Sequence, residues 1–146
     1  MNELASRALF DAELGRLARF AKACAWVLND TAFPVIDVSF SADGRSVLRI
    51  RLRADNWNEQ PASVELLTAD GIYLPAGHAP RHSGSVFHQG PHPSTGRPFV
   101  CMVGTREYHT HPSHISDHWD NYRAREHSTL LGLLTQIWNA WRHSSP

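Results

Sequence analysis

Fourteen residues carry most of the potential chemistry of this chain. Cys101-Met-Val-Gly-Thr-Arg-Glu107-Tyr-His109-Thr-His111-Pro-Ser-His114 holds one thiol, one carboxylate and three imidazoles. Thiolate and imidazole are soft and borderline donors, and together with a carboxylate they suit tetrahedral Zn²⁺ better than Mg²⁺ or Ca²⁺. Residues of an extended segment alternate faces, so Glu107, His109 and His111 are expected to point the same way. A turn at Val103-Gly104-Thr105 would bring Cys101 back opposite Glu107. His114, with His118 four residues on, adds a ligand if a helix begins there. Four protein ligands would make the site structural; three and a water would make it hydrolytic. The plainer alternative is that these imidazoles hydrogen-bond the backbone of a Gly/Pro-rich loop.

The same thiol is also a candidate acyl carrier. That chemistry needs a partly exposed cysteine able to become a thiolate. It needs a donor for the developing oxyanion, for which Ser94, His92 or a loop amide are candidates. It also needs a base, for which Asp117 and Glu107 are candidates. One thiol does not readily serve both purposes, because a zinc-bound thiolate is a poor free nucleophile. A third reading is that Cys101, flanked by Phe99, Val100 and Met102, is simply buried.

These residues must be positioned by the rest of the chain. Phe10, Leu14, Leu17, Ala21, Cys24 and Leu28 recur at helical spacing and predict a helix over 4–29, with Cys24 a small core residue. Ile36, Val38 and Phe40 alternate with polar residues, Ala42-Asp43-Gly44-Arg45 reads as a hairpin turn, and Leu48, Ile50 and Leu52 alternate with Arg49, Arg51 and Arg53. The arginines are expected on the wet face of the sheet, where they could dock an anionic partner. A further strand is expected over 62–68. Residues 70–98 are irregular and rich in Gly, Pro, His and Ser. A short strand, 99–103, carries Cys101. Leu130, Leu134, Ile137 and Trp141 mark a C-terminal helix. Helices at the two ends of an antiparallel meander of about four strands make an α+β fold.

This order resembles the ubiquitin-conjugating (UBC) fold. Pro61 in Asp55-Asn-Trp-Asn-Glu-Gln-Pro61 resembles that family's proline-containing loop, and His92-Pro93-Ser94 resembles its His-Pro-Asn motif. Gly96-Arg97-Pro98-Phe99-Val100-Cys101 resembles the approach to its catalytic cysteine, with Trp119 and the helix over 130–137 following. Ser94 stands where the family has Asn. The stretch from Cys101 to Trp119 is longer than the family's, so the resemblance implies one UBC-like domain over 1–146 with a His-rich insertion at about 104–118. Cys101, Glu107, His109 and His111, with Trp119 after them, resemble a second family. These are the predicted metal-binding Cys-Glu-His-His proteins of bacterial multi-ubiquitin operons. Tyr108-His109-Thr110-His111-Pro112 resembles the His-x-His-Pro of JAB-type zinc isopeptidases. In that reading Asp117 or Asp120 would have to complete the site, with Glu65 or Glu59 as the catalytic carboxylate.

Together the first two resemblances imply a component of a bacterial ubiquitin-like conjugation pathway, a setting also linked to defence against phage. They imply a zinc ion on Cys101, Glu107, His109, His111 and His114, and partnership with the modifier and its activating and conjugating enzymes. Catalysis of the chain's own is expected to be weak or lost. An active conjugating enzyme using Cys101 as its thioester cysteine, with His92, Ser94 and Asp117 around it, is the alternative. A zinc isopeptidase is a second alternative.

Composition bounds these expectations. The chain has 146 residues, 42% apolar and 19% charged, enough for a real core. Formal net charge is zero, which supplies no general attraction for nucleic acid or an anionic membrane. The N-terminal helix carries acidic residues and does not read as a signal peptide, and no apolar run spans a bilayer. Two cysteines do not make a disulfide framework, so a reducing cytoplasm is expected. All ten histidines lie from His78 onward, which marks the second half as the place for chemistry.

Overall fold

A computed structural model describes residues 2–82 and 84–145. Helix α1 (Glu3–Ala23) starts at Asn2, whose side chain accepts the Ala5 N–H. It ends earlier than its apolar spacing suggests. Ala25 takes a left-handed φ of 58°, and the Trp26 N–H returns to the Ala21 carbonyl at 2.9 Å, closing the helix. The chain then enters a strand that periodicity assigns to the helix, β1 (Val27–Asp30). Cys24 at the C-cap is half-buried and packs against the core.

The other strands follow the alternation. β2 (Val35–Phe40), β3 (Leu48–Arg53) and β4 (Ser63–Leu67) complete a four-stranded antiparallel sheet of order β1-β2-β3-β4. Ile36, Val38 and Phe40 face inward with Leu48, Ile50, Leu52, Val64 and Leu66. They pack against Phe10, Leu17 and Ala21 of α1 and against the apolar face of the last helix, α3 (Leu130–Arg142). The architecture is therefore α+β, an N-terminal helix, a four-strand meander and a C-terminal helix.

The outer face of β3 is not a free row of cations. Arg49 grips Asp37 with two bonds of 2.8 Å. Glu65 accepts Arg51 Nε at 2.6 Å, Arg53 Nε at 2.9 Å and the Tyr73 hydroxyl at 2.6 Å. Burial pushes the carboxyls of Asp37 and Glu65 up, but these donors outweigh it and leave both below their ordinary values. The three arginines thus seal the sheet instead of presenting unpaired charge.

Glu13 ties three elements together. Its carboxylate accepts the Leu130 N–H at the start of α3 (2.8 Å) and the indole N–H of Trp57, which is buried on the loop before β4. Glu13→Ala leaves two donors without their acceptor. It is expected to cost about 2 kcal/mol, read as a lower urea midpoint at unchanged slope.

Candidate functional site: Cys101 and its surroundings

A short hairpin delivers Cys101. β5 (Phe87–His88) pairs with β6 (Phe99–Val100), and the Cys101 N–H continues the pairing to the Val86 carbonyl at 2.7 Å. The chain then turns sharply. Thr105 Oγ1 shares its proton between the Val100 and Met102 carbonyls and accepts the Tyr108 N–H, capping helix α2 (Arg106–Thr110). Gly104 makes the turn possible. Its φ is +101°, and a Cβ there would sit 2.8 Å from Leu133 Cδ2.

The segment after Gly104 is helical where an extended one was expected, and this separates the anticipated ligands. Glu107 points back to the edge of β4. Its Oε1 accepts the Val64 N–H at 2.6 Å and the Ser63 hydroxyl at 2.9 Å. Together with the Arg106 N–H on the Ala62 carbonyl (2.9 Å), it satisfies an otherwise open sheet edge. Only 4% of Glu107 is exposed. Burial raises its pKa to about 7, against the lowering pull of the Val64 and Ser63 donors.

His109 is committed at both nitrogens. Nε2 accepts the Gly104 N–H (3.1 Å) and Nδ1–H donates to the Asp117 carbonyl (2.7 Å). Burial depresses its pKa, against the raising pull of the bond to the Asp117 carbonyl. His111 accepts the Ser113 N–H at Nδ1 (3.1 Å) and stacks on Phe99. Among the described residues no three His, Cys, Asp or Glu side chains are placed to hold one ion. Cys101, Glu107, His109, His111 and His114 therefore do not fit a common zinc centre in this arrangement. Nor do His109 and His111 make the pair that an isopeptidase metal needs. Chelation with EDTA is expected to leave the melting temperature unchanged, a result readable by calorimetry on the protein as purified.

One expected ligand does reach the thiol. His114 Nε2 lies 3.9 Å from Cys101 Sγ, at the outer limit of a sulfur hydrogen bond. The helix that might have carried His114 beside His118 does not form. Successive turns over 111–117 place His114 instead, through the His114 N–H on the His111 carbonyl and the Asp117 N–H on the His114 carbonyl, each 2.9 Å. The imidazole lies flat on Tyr108, with ring centroids 4.1 Å apart and planes 11° from parallel. Tyr108 donates its hydroxyl to Asp117 Oδ2 and Tyr122 donates to Oδ1, both at 2.7 Å. The bond to Asp117 is the main reason the Tyr108 phenol is pushed up to about 12. The two phenols in turn hold the Asp117 carboxyl below its usual range. Cys101 itself is half-buried, and burial raises its thiol. The resting pair is thus a neutral thiol beside an imidazole.

The other expected participants play supporting parts. His92 is buried, with its Nε2–H on the Glu107 carbonyl (2.9 Å) and its Nδ1 accepting the Ser94 N–H (3.0 Å). It anchors the approach to β6 onto α2. Ser94 is exposed and contributes this backbone donor. Asp117, both of whose oxygens take phenol protons, is not disposed as a free base. The Tyr108–Asp117–Tyr122 network and the pairing of His114 with Cys101 are not legible as such in the sequence. A weak signal existed in Thr105, three residues before Tyr108, as a helix N-cap. Trp119 is buried against Trp57 and donates to the Asn58 carbonyl at 3.0 Å, joining this region to the loop that ends at Pro61.

The model of the Y4jH family matches residues 87–143, which take in β5, β6, Cys101, α2 and all of α3. The uncharacterized protein y4jH of Sinorhizobium fredii (strain NBRC 101917 / NGR234) is 42% identical to the chain over 41 residues, 28% of this chain and 20% of that protein. The similarity thus spans about a fifth of that relative's length. Among the described residues no helix is long and apolar enough to cross a membrane.

Proposed function

We propose that this chain is an acyl-carrying component of a bacterial ubiquitin-like conjugation pathway. Cys101 accepts the modifier's C-terminal acyl group from the activating enzyme, and His114 handles the proton. The observation that carries this reading is the 3.9 Å approach of His114 Nε2 to the Sγ of a half-buried Cys101. It is supported by the place of that cysteine, after an N-terminal helix, a four-strand meander and an irregular crossing, in the order that resembles the UBC fold.

The step is a thioester exchange. The Cys101 sulfur attacks the carbonyl carbon of the donor thioester while the thiol proton passes to His114 Nε2. A tetrahedral intermediate forms, the bond to the donor sulfur breaks, and His114 returns the proton to that departing thiolate. Proton removal has to accompany attack, because burial keeps the resting thiol protonated.

The direct test is incubation with a candidate activating enzyme, its modifier and ATP. A modifier adduct that is lost on adding excess thiol, and absent in Cys101→Ser, is the expected result. A second reading is a non-catalytic partner of those enzymes. The raised thiol and the engagement of His92 at both nitrogens favour it. It predicts a stable complex with the activating enzyme and no adduct.

A further inference from the structure

We infer that Asp117 is a positioning residue for His114, acting through the ring of Tyr108. This rests on the pairing of His114 with Cys101 proposed above and assigns it a support that the pairing alone does not require. A nitrogen 3.9 Å from sulfur sits at the edge of useful range, so a small displacement of the ring decides whether a proton can pass. His114 lies in a run of turns, where backbone geometry alone fixes a side chain poorly. Its ring is located by the flat stack on Tyr108. Tyr108, in turn, is held at its far end by Asp117 Oδ2, and the same carboxylate is held from its other side by Tyr122.

The two phenols and the carboxylate form a closed brace. Tyr108 rises from α2, Asp117 ends the turns that carry His114, and Tyr122 follows the 3₁₀ turn at Trp119–Asn121. The Asp117 carbonyl also accepts His109 Nδ1–H at 2.7 Å, so the backbone of the brace is fixed as well as its side chain. Asp117 itself does not reach the sulfur through any of these bonds. Its influence passes along Asp117 to the Tyr108 hydroxyl, along the phenol ring to the imidazole, and from the imidazole to Cys101.

A double-mutant cycle with a small thioester tests this. Acetylation of Cys101 by S-acetyl-N-acetylcysteamine is followed by intact-mass spectrometry in the full chain. Asp117→Ala and Tyr108→Phe are each expected to slow acetylation by roughly ten- to a hundredfold, the range a misplaced catalytic group costs. The double variant is expected to lose no more than the slower single variant, because both remove one bond. Asp117→Asn, which keeps an oxygen for one phenol, is expected to recover part of the rate. In a His114→Ala background Asp117→Ala should cost nothing further. An equal loss from Asp117→Ala with and without His114 would show a merely structural effect and overturn the inference. A His114→Ala rate equal to that of the unaltered chain would instead sink the proposed Cys101–His114 chemistry. If Asp117→Ala fails to fold, Tyr108→Phe carries the same comparison. The upfield ring-current shift of the His114 protons, expected in the native chain and reduced in Tyr108→Phe, reads the position without acylation.

Discussion

His114→Ala is expected to slow acylation of Cys101 by about a hundredfold or more, the usual contribution of a positioned general base. Three features set the size of the effect. Burial holds the thiol protonated, so an unassisted attack must draw on a small thiolate fraction. The carboxylates that sequence reasoning offered as bases are occupied, Glu107 at the edge of β4 and Asp117 by two phenols. His114 is then the ring whose nitrogen approaches the sulfur. The rate with a small thioester, measured by mass in a Cys24→Ala background, isolates the reacting thiol. Cys101→Ser should give no adduct that excess thiol removes. An unchanged rate in His114→Ala would count directly against the thiol–imidazole pair.

Glu107 should give the largest pH effect on stability. Its folded pKa of about 7 lies well above the ordinary carboxyl value of 4.5. A raised carboxyl means that the folded chain holds a proton the unfolded chain has released. The associated stability is therefore fully present below pH 4.5 and is lost as pH rises through about 7. The loss across that window is on the order of 3 kcal/mol, little screened because the group is buried. His109 and His111, whose pKa values are lowered, act in the opposite sense and lose stability as pH falls below the ordinary imidazole value of 6.5. The clean readout is therefore the difference between the native chain and Glu107→Gln. The glutamine keeps an oxygen for the Val64 N–H but does not titrate. Urea midpoints at pH 4.5 and pH 8 should show the variant gaining about 3 kcal/mol relative to the native chain across this range. A constant difference would mean that Glu107 is ionised in the fold at every pH tested.

The sheet and the last helix could be read from the sequence because their burial is periodic. Ile36, Val38, Phe40 and Leu48, Ile50, Leu52 alternate along one wall of the core, and Leu130, Leu134, Ile137 and Trp141 recur at helical steps along the other. β1 was hidden because Cys24 and Leu28 extend the stripe of α1. The break falls at Ala25, a residue with no turn signature, and the strand beyond is mostly exposed. α2 was hidden by its length. Five residues give no period, and alternate histidines suit a strand equally well.

The site was half legible. Cys101 and His114 stood out by residue type, whereas their meeting depends on turns over 111–117 that no local preference dictates. The proposed metal geometry failed at one point, the conformation of Glu107 to His111. A helix in place of a strand sends Glu107 into the sheet edge and His109 toward Gly104. The arginines of β3 were placed correctly by alternation, but their partners came from neighbouring strands and from Tyr73, beyond the reach of any spacing rule.

The wealth of histidine has a simpler origin than catalysis. His82, His88, His92 and His111 each use Nδ1 to accept the backbone N–H two residues ahead, at 3.0–3.1 Å, from Gly84, Gly90, Ser94 and Ser113. In a stretch almost without ladders, side-chain rings replace carbonyls as acceptors and crimp the chain into tight local loops. Such a crimp needs an acceptor at that ring position, and a phenylalanine there would leave the glycine or serine N–H unpaired. Three of these fastenings lie along the approach to Cys101 and the fourth, at His111, lies just beyond it, so the chain on both sides of the thiol is shaped by ring nitrogens.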